Sequence, residues 1–136
     1  MLLTMRAIRW GTVASLFALV QLASVTANSA GQLKVSGRGK AQTLVRAQFS
    51  PPMRKKYDLF ARKCTRCHAM SRPISALNTG ITPVSGNLFE KKYIKKYVVK
   101  MMRKPKSGIA KRTAREILQF LVYARGLARE SNEYQE

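Results

Sequence analysis

Apolar residues recur at helical spacing in three separate stretches of the chain. In the first stretch, Met53, Tyr57 and Phe60 fall on one side of a helix. A Ser-Pro-Pro run at residues 50–52 precedes them, and serine caps helices while proline suits their first turn. The pattern therefore predicts a first helix over residues 51–67.

The other two stretches predict helices over residues 89–103 and 110–128, separated by Pro105 and Gly108. The expected buried face of the second helix is Phe89, Tyr93, Ile94, Tyr97, Val98 and Met101. Its expected exposed face is Lys91, Lys92, Lys95, Lys96 and Lys100. The apolar stripe of the third helix is Ala114, Ile117, Leu118, Leu121, Ala124 and Leu127. Each of these two helices is therefore expected to bury one side.

The segments between and around these helices lack such periodicity. Residues 69–89 contain several helix breakers, Pro73 and Gly80 among them, and are predicted to form a loop. Residues 28–49 are polar and basic and predict a flexible leader without a fixed fold. Residues 130–136 predict a polar, frayed tail. With no convincing strand signal, the predicted fold class is all-α, with three main helices in one domain over residues 50–129.

The amino terminus has the layout of an export signal. Arg6 and Arg9 precede a mostly apolar, uncharged stretch over residues 10–25, and small residues follow at 25–27. We predict a signal peptide over residues 1–27 and a periplasmic or otherwise exported protein. Cleavage a few residues later, or an uncleaved segment that anchors the chain in the membrane, is the alternative, although spanning a bilayer takes about 20 apolar residues.

The chain is strongly basic, with 26 lysines and arginines against 6 acidic residues and a formal net charge of +20. In a cytosolic protein this imbalance would suggest a nucleic-acid partner. An exported chain rarely meets nucleic acid, so the charge instead favours an acidic partner protein or an anionic membrane surface. Plain solvation of the surface is the alternative that the charge leaves open.

The most specific motif is Cys-X-X-Cys-His at residues 64–68. Two thiols one helical turn apart can each add to one vinyl group of haem, and the adjacent imidazole of His68 can reach the iron as a proximal ligand. Attachment of this kind takes place outside the cytoplasm, in agreement with the export signal. Cys64, Cys67 and His68 therefore predict one covalently bound haem c.

Three other uses of the motif are disfavoured. A structural zinc site takes four ligands, whereas the chain has two cysteines and one histidine. A redox-active disulfide would accompany a thioredoxin-like βαβ pattern, which is not seen. A plain structural disulfide across two intervening residues is rarer than either.

The second axial ligand cannot be another histidine of this chain, because His68 is the only one. The methionines of the exported part are Met53, Met70, Met101 and Met102. Met53 precedes the motif on the same helix, and Met70 is too near His68 to reach the opposite face. Met101 is preferred because it shares a helix face with Ile94 and other candidate core residues, and Met102 is the second choice. The remaining alternative is an iron with no methionine ligand.

At this point the chain resembles a known family. LFARKCTRCH at residues 59–68 resembles the start of a class I monohaem cytochrome c domain of exported bacterial proteins. YVVKMMRKPKSGI at residues 97–109 resembles the methionine segment of a bacterial subgroup, and FLVY at residues 120–123 resembles the closing helix. The resemblance covers about residues 53–125. It implies a small cytochrome c-like fold around one covalent haem, with a methionine, most simply Met101, as the distal ligand.

The resemblance also implies particular contacts. Phe60 is expected to pack against Phe120 or Leu121, where the first and last helices cross. A loop carbonyl near Pro73 is expected to accept a hydrogen bond from His68. Arg72 is expected either to pair with a haem propionate or to be solvated.

The segment at residues 110–112 departs from the family pattern. Similar proteins often place serine or threonine here, followed by acidic residues, whereas this chain has Ala110, Lys111 and Arg112. A poor cap with two cations costs about 1–2 kcal/mol at a helix start. Ser107 is the alternative cap.

A haem iron whose two axial positions are filled by His68 and a methionine leaves no position for a substrate. The motif and the methionine together therefore predict electron transfer rather than catalysis, with no small-molecule substrate. The exposed lysines of the second helix, with Arg62, Lys63 and Arg66, would steer an acidic redox partner. Two alternatives remain. One is a haem enzyme or gas sensor with an open distal position, and the other is a haem subunit of a larger respiratory complex.

Overall fold

The computed structural model describes residues 33–133, and the side chains of residues 33–130. Four α-helices follow one another over this part of the chain: α1 (Pro51–Cys64), α2 (Ser71–Thr79), α3 (Lys91–Met102) and α4 (Lys111–Glu133). The predicted helical class is confirmed. The signal peptide predicted over residues 1–27, residues 28–32 of the leader and residues 134–136 of the tail lie outside the described residues.

The helices α1 and α4 cross at an aromatic contact. Phe60 of α1 and Phe120 of α4 are 1% and 0% exposed, and their ring centroids lie 5.2 Å apart. Phe49, just before α1, meets Phe120 edge-on with centroids 5.0 Å apart. The predicted packing of Phe60 against Phe120 is confirmed, and these rings form one end of the core.

The segment before α1 is folded, so the prediction of a flexible leader is wrong for residues 33–49. Two short antiparallel strands, β1 (Val35–Ser36) and β2 (Thr43–Leu44), pair with Val35 opposite Leu44. Leu33 and Leu44 are buried in the core together with Phe49. The polar composition concealed these widely spaced apolar residues, whose burial stabilises the segment. The expectation that no strand would form is corrected by the same pairing.

The predicted loop over residues 69–89 contains a helix, α2. Pro73 does not prevent it, because the N–H groups of a first turn have no partner within the helix. Ile74 and Leu77 are buried on its inner face. The helix ends at Gly80, whose φ of +73° is readily adopted only by glycine. Residues 80–89 form the remaining loop, called here the 80–89 loop.

Two further boundaries differ from the predictions. α1 ends at Cys64 rather than at residue 67. Directly after Cys64, the Thr65 hydroxyl donates a hydrogen bond to the carbonyl of Ala61 at 2.7 Å. α4 continues to Glu133, so residues 130–133 are helical rather than a frayed tail. Good helix formers such as Arg129 and Glu130 extend α4 beyond the last buried residue of its stripe. Within residues 33–133, no helix combines the length and the apolar character that a membrane crossing requires.

Candidate functional site

A cavity of about 310 Å³ lies among the four helices of the described chain. Its volume is at the lower end of the range typical of ligand pockets. The apolar part of its lining is formed by Phe60, Ala76, Phe89, Val98, Ile117 and Leu121. These residues come from every helix and from the 80–89 loop. The cavity is therefore a feature of the whole fold rather than of one element.

Three of the four predicted site residues line this cavity: Cys64, His68 and Met101. Cys64 and His68 lie at the end of α1 and in the following turn, and Met101 lies in the last turn of α3. The fourth, Cys67, is exposed and lines a separate surface cleft of about 420 Å³. His68 lines both spaces and so stands between the cavity and the cleft.

The two cysteines have different surroundings, although only two residues separate them. Both are free, and Cys64 is half-buried. Burial, together with the nearby Cys67, raises the pKa of the Cys64 thiol to about 12. A thiol that stays protonated at neutral pH is a poor nucleophile for disulfide exchange. Cys64 is therefore not poised to begin disulfide exchange.

His68 is half-buried, and its Nδ1 lies 3.3 Å from the carbonyl oxygen of Ala69. With the proton on Nδ1, the ring donates to this carbonyl and keeps the lone pair of Nε2 for a metal. The resemblance implied a carbonyl near Pro73 in this role. In the structure the carbonyl belongs to Ala69, and Pro73 lines the cavity instead.

The four candidate methionines have different surroundings in the structure. Met101 lines the cavity, whereas Met102 and Met53 pack against the core. Met70 is buried and lines the cleft beside Cys67. The helical phase of α3 thus places Met101, and not its neighbour Met102, on the cavity. Of the residues predicted to be buried with it, Tyr93 and Tyr97 are only half-buried, and Tyr97 lines the cavity as well.

Ser107 holds the turn that follows Met101. Its hydroxyl donates to the carbonyl of Met102 at 3.1 Å and accepts from the N–H of Ile109 at 3.4 Å. Lys63 of α1 donates to the carbonyl of Gly108 at 2.7 Å. The alternative role predicted for Ser107, capping α4, is replaced by a role at the end of α3.

The 80–89 loop contributes to the cavity, although the sequence pattern did not indicate it. Thr82, Pro83 and Val84 line the cavity. Thr82 is buried, and its hydroxyl donates to the carbonyl of Asn87 and lies 2.8 Å from the hydroxyl of Ser85, from which it can then accept. The helix breakers that predicted a loop, such as Gly80, Pro83 and Gly86, gave no sign that the loop would turn inward to form a wall.

The rim of the cavity is basic. Arg72, Lys100 and Lys104 are exposed and line its opening. The same two lysines belong to a neighbouring surface cleft of about 520 Å³ that also contains Lys96 and Arg103. A negatively charged group at the rim would therefore meet several cations.

Chemically, the cavity offers apolar walls, an imidazole, a thioether and a thiol. This set suits a flat apolar ligand that carries a metal with nitrogen and sulfur ligands. Groups of three or more histidine, cysteine, aspartate or glutamate side chains that could hold a bare metal ion are not found within residues 33–133.

The chain was also compared with known proteins. No protein-family model, no curated protein and no solved structure matches it.

Proposed function

We propose that this chain is an exported electron-transfer protein of the c-type cytochrome class, with a small cytochrome c-like fold around one covalently bound haem. The observation that carries the proposal is the meeting of Cys64, His68 and Met101 on one apolar cavity. Met101 comes to the cavity from 33 residues beyond His68. The attachment motif alone does not require such a meeting.

The residues present fit the group. Cys64 and Cys67 would hold haem through thioethers, and His68 and Met101 would be its axial ligands. When bound, the haem supplies one-electron exchange between ferrous and ferric iron. The Met101 sulfur would favour the ferrous state relative to a second histidine. The Ala69 carbonyl, 3.3 Å from Nδ1 of His68, would hold the orientation of the His68 ring.

The surroundings of the cavity also support a haem. Phe60, Val98 and Leu121 present apolar surface that excludes water, and their burial against a macrocycle would contribute about 25 cal/mol per Å². Arg72 and Lys100 at the rim provide positive charge for carboxylate groups of the ligand. Apolar walls with a basic rim match the two chemical ends of a haem.

An acidic redox protein is the proposed partner. All ion pairs among the described side chains use arginines, and the lysines of α3 take part in none. The 80–89 loop exposes Ile81, Val84 and Leu88, and Val84, which is 76% exposed, lines the same cavity as Lys100 of α3. An apolar centre beside free cations fits an acidic protein face. The rate of electron transfer to such a partner should fall by about tenfold or more between low and high salt, and a rate indifferent to salt would contradict this assignment.

The proposal is tested by expressing the full chain in a bacterium that attaches c-type haem. We expect haem that stays with the polypeptide on a denaturing gel and a low-spin visible spectrum. Cys64→Ser and Cys67→Ser should each leave one thioether and lower the yield of bound haem, and the double variant should abolish it. Thr65→Ala, within the same motif, is the matched control and should retain attachment.

The same preparation decides between the proposal and its alternatives. A wild-type chain without covalent haem would refute the proposal. A high-spin spectrum that shifts at once on addition of carbon monoxide would favour an open distal position, as in a gas sensor or haem enzyme. Stable isolation only with other respiratory proteins would favour a subunit of a larger complex.

A further inference from the structure

The 80–89 loop is one wall of the cavity, and its two ends lie side by side. The N–H of Phe89 donates to the carbonyl of Gly80 at 2.7 Å, and Ile81 bridges to Leu88 in antiparallel fashion. Thr82 and Val84 beyond this base face the cavity. The position of the base therefore determines whether the wall is in place.

A single side chain of α4, Arg125, is bonded to the chain on both sides of this base. Its Nη1 donates to the carbonyl of Leu77 at 3.0 Å, just before the loop. Its Nε and Nη2 donate to Oε1 of Glu90 at 3.3 and 3.2 Å, just after the loop. The Arg125 side chain is 12% exposed. One rigid guanidinium thus joins the end of α2 to the start of α3.

The contact with α2 satisfies groups that the helix leaves unpaired. The N–H that would bond to the carbonyl of Leu77 in a longer helix belongs to Ile81, which bonds to the hydroxyl of Thr79 instead. The Arg125 guanidinium donates to the Leu77 carbonyl in place of the Ile81 N–H, and it brings positive charge to the negative end of α2. The hydrogen bond from Arg125 therefore pairs a carbonyl that would otherwise have no partner at the end of α2.

Gly80 leaves the space that this contact needs. A Cβ at residue 80 would lie 2.2 Å from Nη2 of Arg125, much closer than atoms approach one another. The positive φ of Gly80 is unfavourable for other residues as well. Residue 80 must therefore be glycine for two reasons: its positive φ and the close approach of the Arg125 guanidinium.

We infer that Arg125 is a positioning residue, which holds both ends of the 80–89 loop and thereby keeps the cavity wall closed against water and small ligands. Its role in tuning the haem rests on the proposed function. Its role in holding the loop depends only on the contacts above and is measurable in the chain without haem.

The test compares Arg125→Gln with Arg129→Gln, a matched control from the same helix. Arg129 lies 3.7 Å from the same Glu90 but is mostly exposed, and its described ion pair is with Glu90 alone. In the full chain without haem, Arg125→Gln should speed hydrogen exchange at the amides of Thr82 and Phe89 by about tenfold or more, as expected for loss of a hydrogen bond to a charged group. Arg129→Gln should leave this exchange unchanged.

In the haem-loaded protein, Arg125→Gln should lower the midpoint potential and speed the binding of added imidazole, because water entering the cavity stabilises ferric iron. A merely structural role would lower the melting temperature and leave both readings unchanged. Arg125→Lys keeps the charge but bonds through a single nitrogen, so it should give an intermediate shift, and it serves if the glutamine variant does not fold.

Unchanged exchange and potential in Arg125→Gln would overturn the inference, as would equal effects of Arg129→Gln. A wild-type chain without attached haem would refute the proposed function alone, since the exchange result would still decide the role of Arg125 in holding the loop.

Discussion

The two sides of α4 differ in how completely they are filled. Toward α1, Phe120 packs among Phe49, Tyr57 and Phe60, with ring centroids 5.0–5.5 Å away. Toward α3, the next residue, Leu121, faces the cavity. We call these regions the aromatic side and the cavity side. The comparison indicates that side chains fill the space around Phe120, whereas the space beside Leu121 is left open as a cavity.

The polar groups follow the same division. On the aromatic side they are paired within the chain: the Tyr57 hydroxyl donates to the carbonyl of Leu44 at 2.9 Å, and Arg46 pairs with Asp58. At the rim of the cavity side, Lys100 and Lys104 are exposed and form none of the ion pairs among the described residues. The charges of Arg46 and Asp58 thus help to hold the fold, whereas the two rim lysines take part in no ion pair among the described residues.

The largest effect is expected for Phe120→Ala in the chain without haem. Removing a fully buried ring in contact with three others should lower the free energy of unfolding by about 3–5 kcal/mol. Leu121→Ala should cost about 2 kcal/mol, near the lower limit for such truncations, because part of its surface already borders empty space. Urea denaturation followed by helical circular dichroism measures both values.

Loading with haem should change the cost of Leu121→Ala more than the cost of Phe120→Ala. With the cavity filled, Leu121 gains contacts, so Leu121→Ala should then cost more than before, while the cost of Phe120→Ala should change little. Equal costs for the two variants in the haem-free chain would contradict the division between a filled and an open side.

The adjacent methionines give a sharper version of the comparison. In the haem-loaded protein, Met101→Ala should remove the far-red absorption band of sulfur-ligated ferric iron and allow carbon monoxide to bind the ferrous form. Met102→Ala should keep the band and lower stability by about 1–2 kcal/mol, less than for a fully buried methionine, since Met102 is half-buried against the core. Visible spectra and urea denaturation of both variants provide the measurements.

The reverse pattern would have a clear meaning. A band lost in Met102→Ala and retained in Met101→Ala would show that the last turn of α3 rotates when haem binds. A band retained in both variants would exclude either methionine as the ligand.

The sequence was most informative where periodicity and local chemistry agree. The spacing of apolar residues predicted α1 and α4, and the phase of α3 predicted which methionine lies on the cavity. The contact of Phe60 with Phe120 where α1 and α4 cross was implied by the family resemblance. The buried residues Leu33 and Leu44 were missed, because they lie in a basic segment whose few apolar residues follow neither a helical nor a strand period. Arg125 was missed for a different reason: its partners, at Leu77 and Glu90, are distant in sequence and include a backbone carbonyl.

The smallest effect concerns the ion pair that holds the segment before α1 to the aromatic side. Nε and Nη2 of Arg46 each donate to a carboxylate oxygen of Asp58 at 2.9 Å. The hydrogen bond from Arg46 lowers the pKa of Asp58 below its ordinary value of 3.8. Because this pKa is lower in the folded chain, the pair stabilises the fold above pH 3.8, and its contribution is lost as pH falls through the lowered value.

Asp58→Asn should therefore shift the urea midpoint slightly downward at neutral pH, and the shift should vanish well below pH 3.8, where wild type and variant are both uncharged at this position. The effect is small because both partners are exposed and water screens them. Raising the salt concentration at neutral pH should reduce it further. Glu116→Gln is the matched control, since its pair with Arg112 lies within α4 and holds no separate segment. A shift from Asp58→Asn that persisted unchanged into acid would mean that packing of the side chain, and not its charge, holds residues 33–49 to α1.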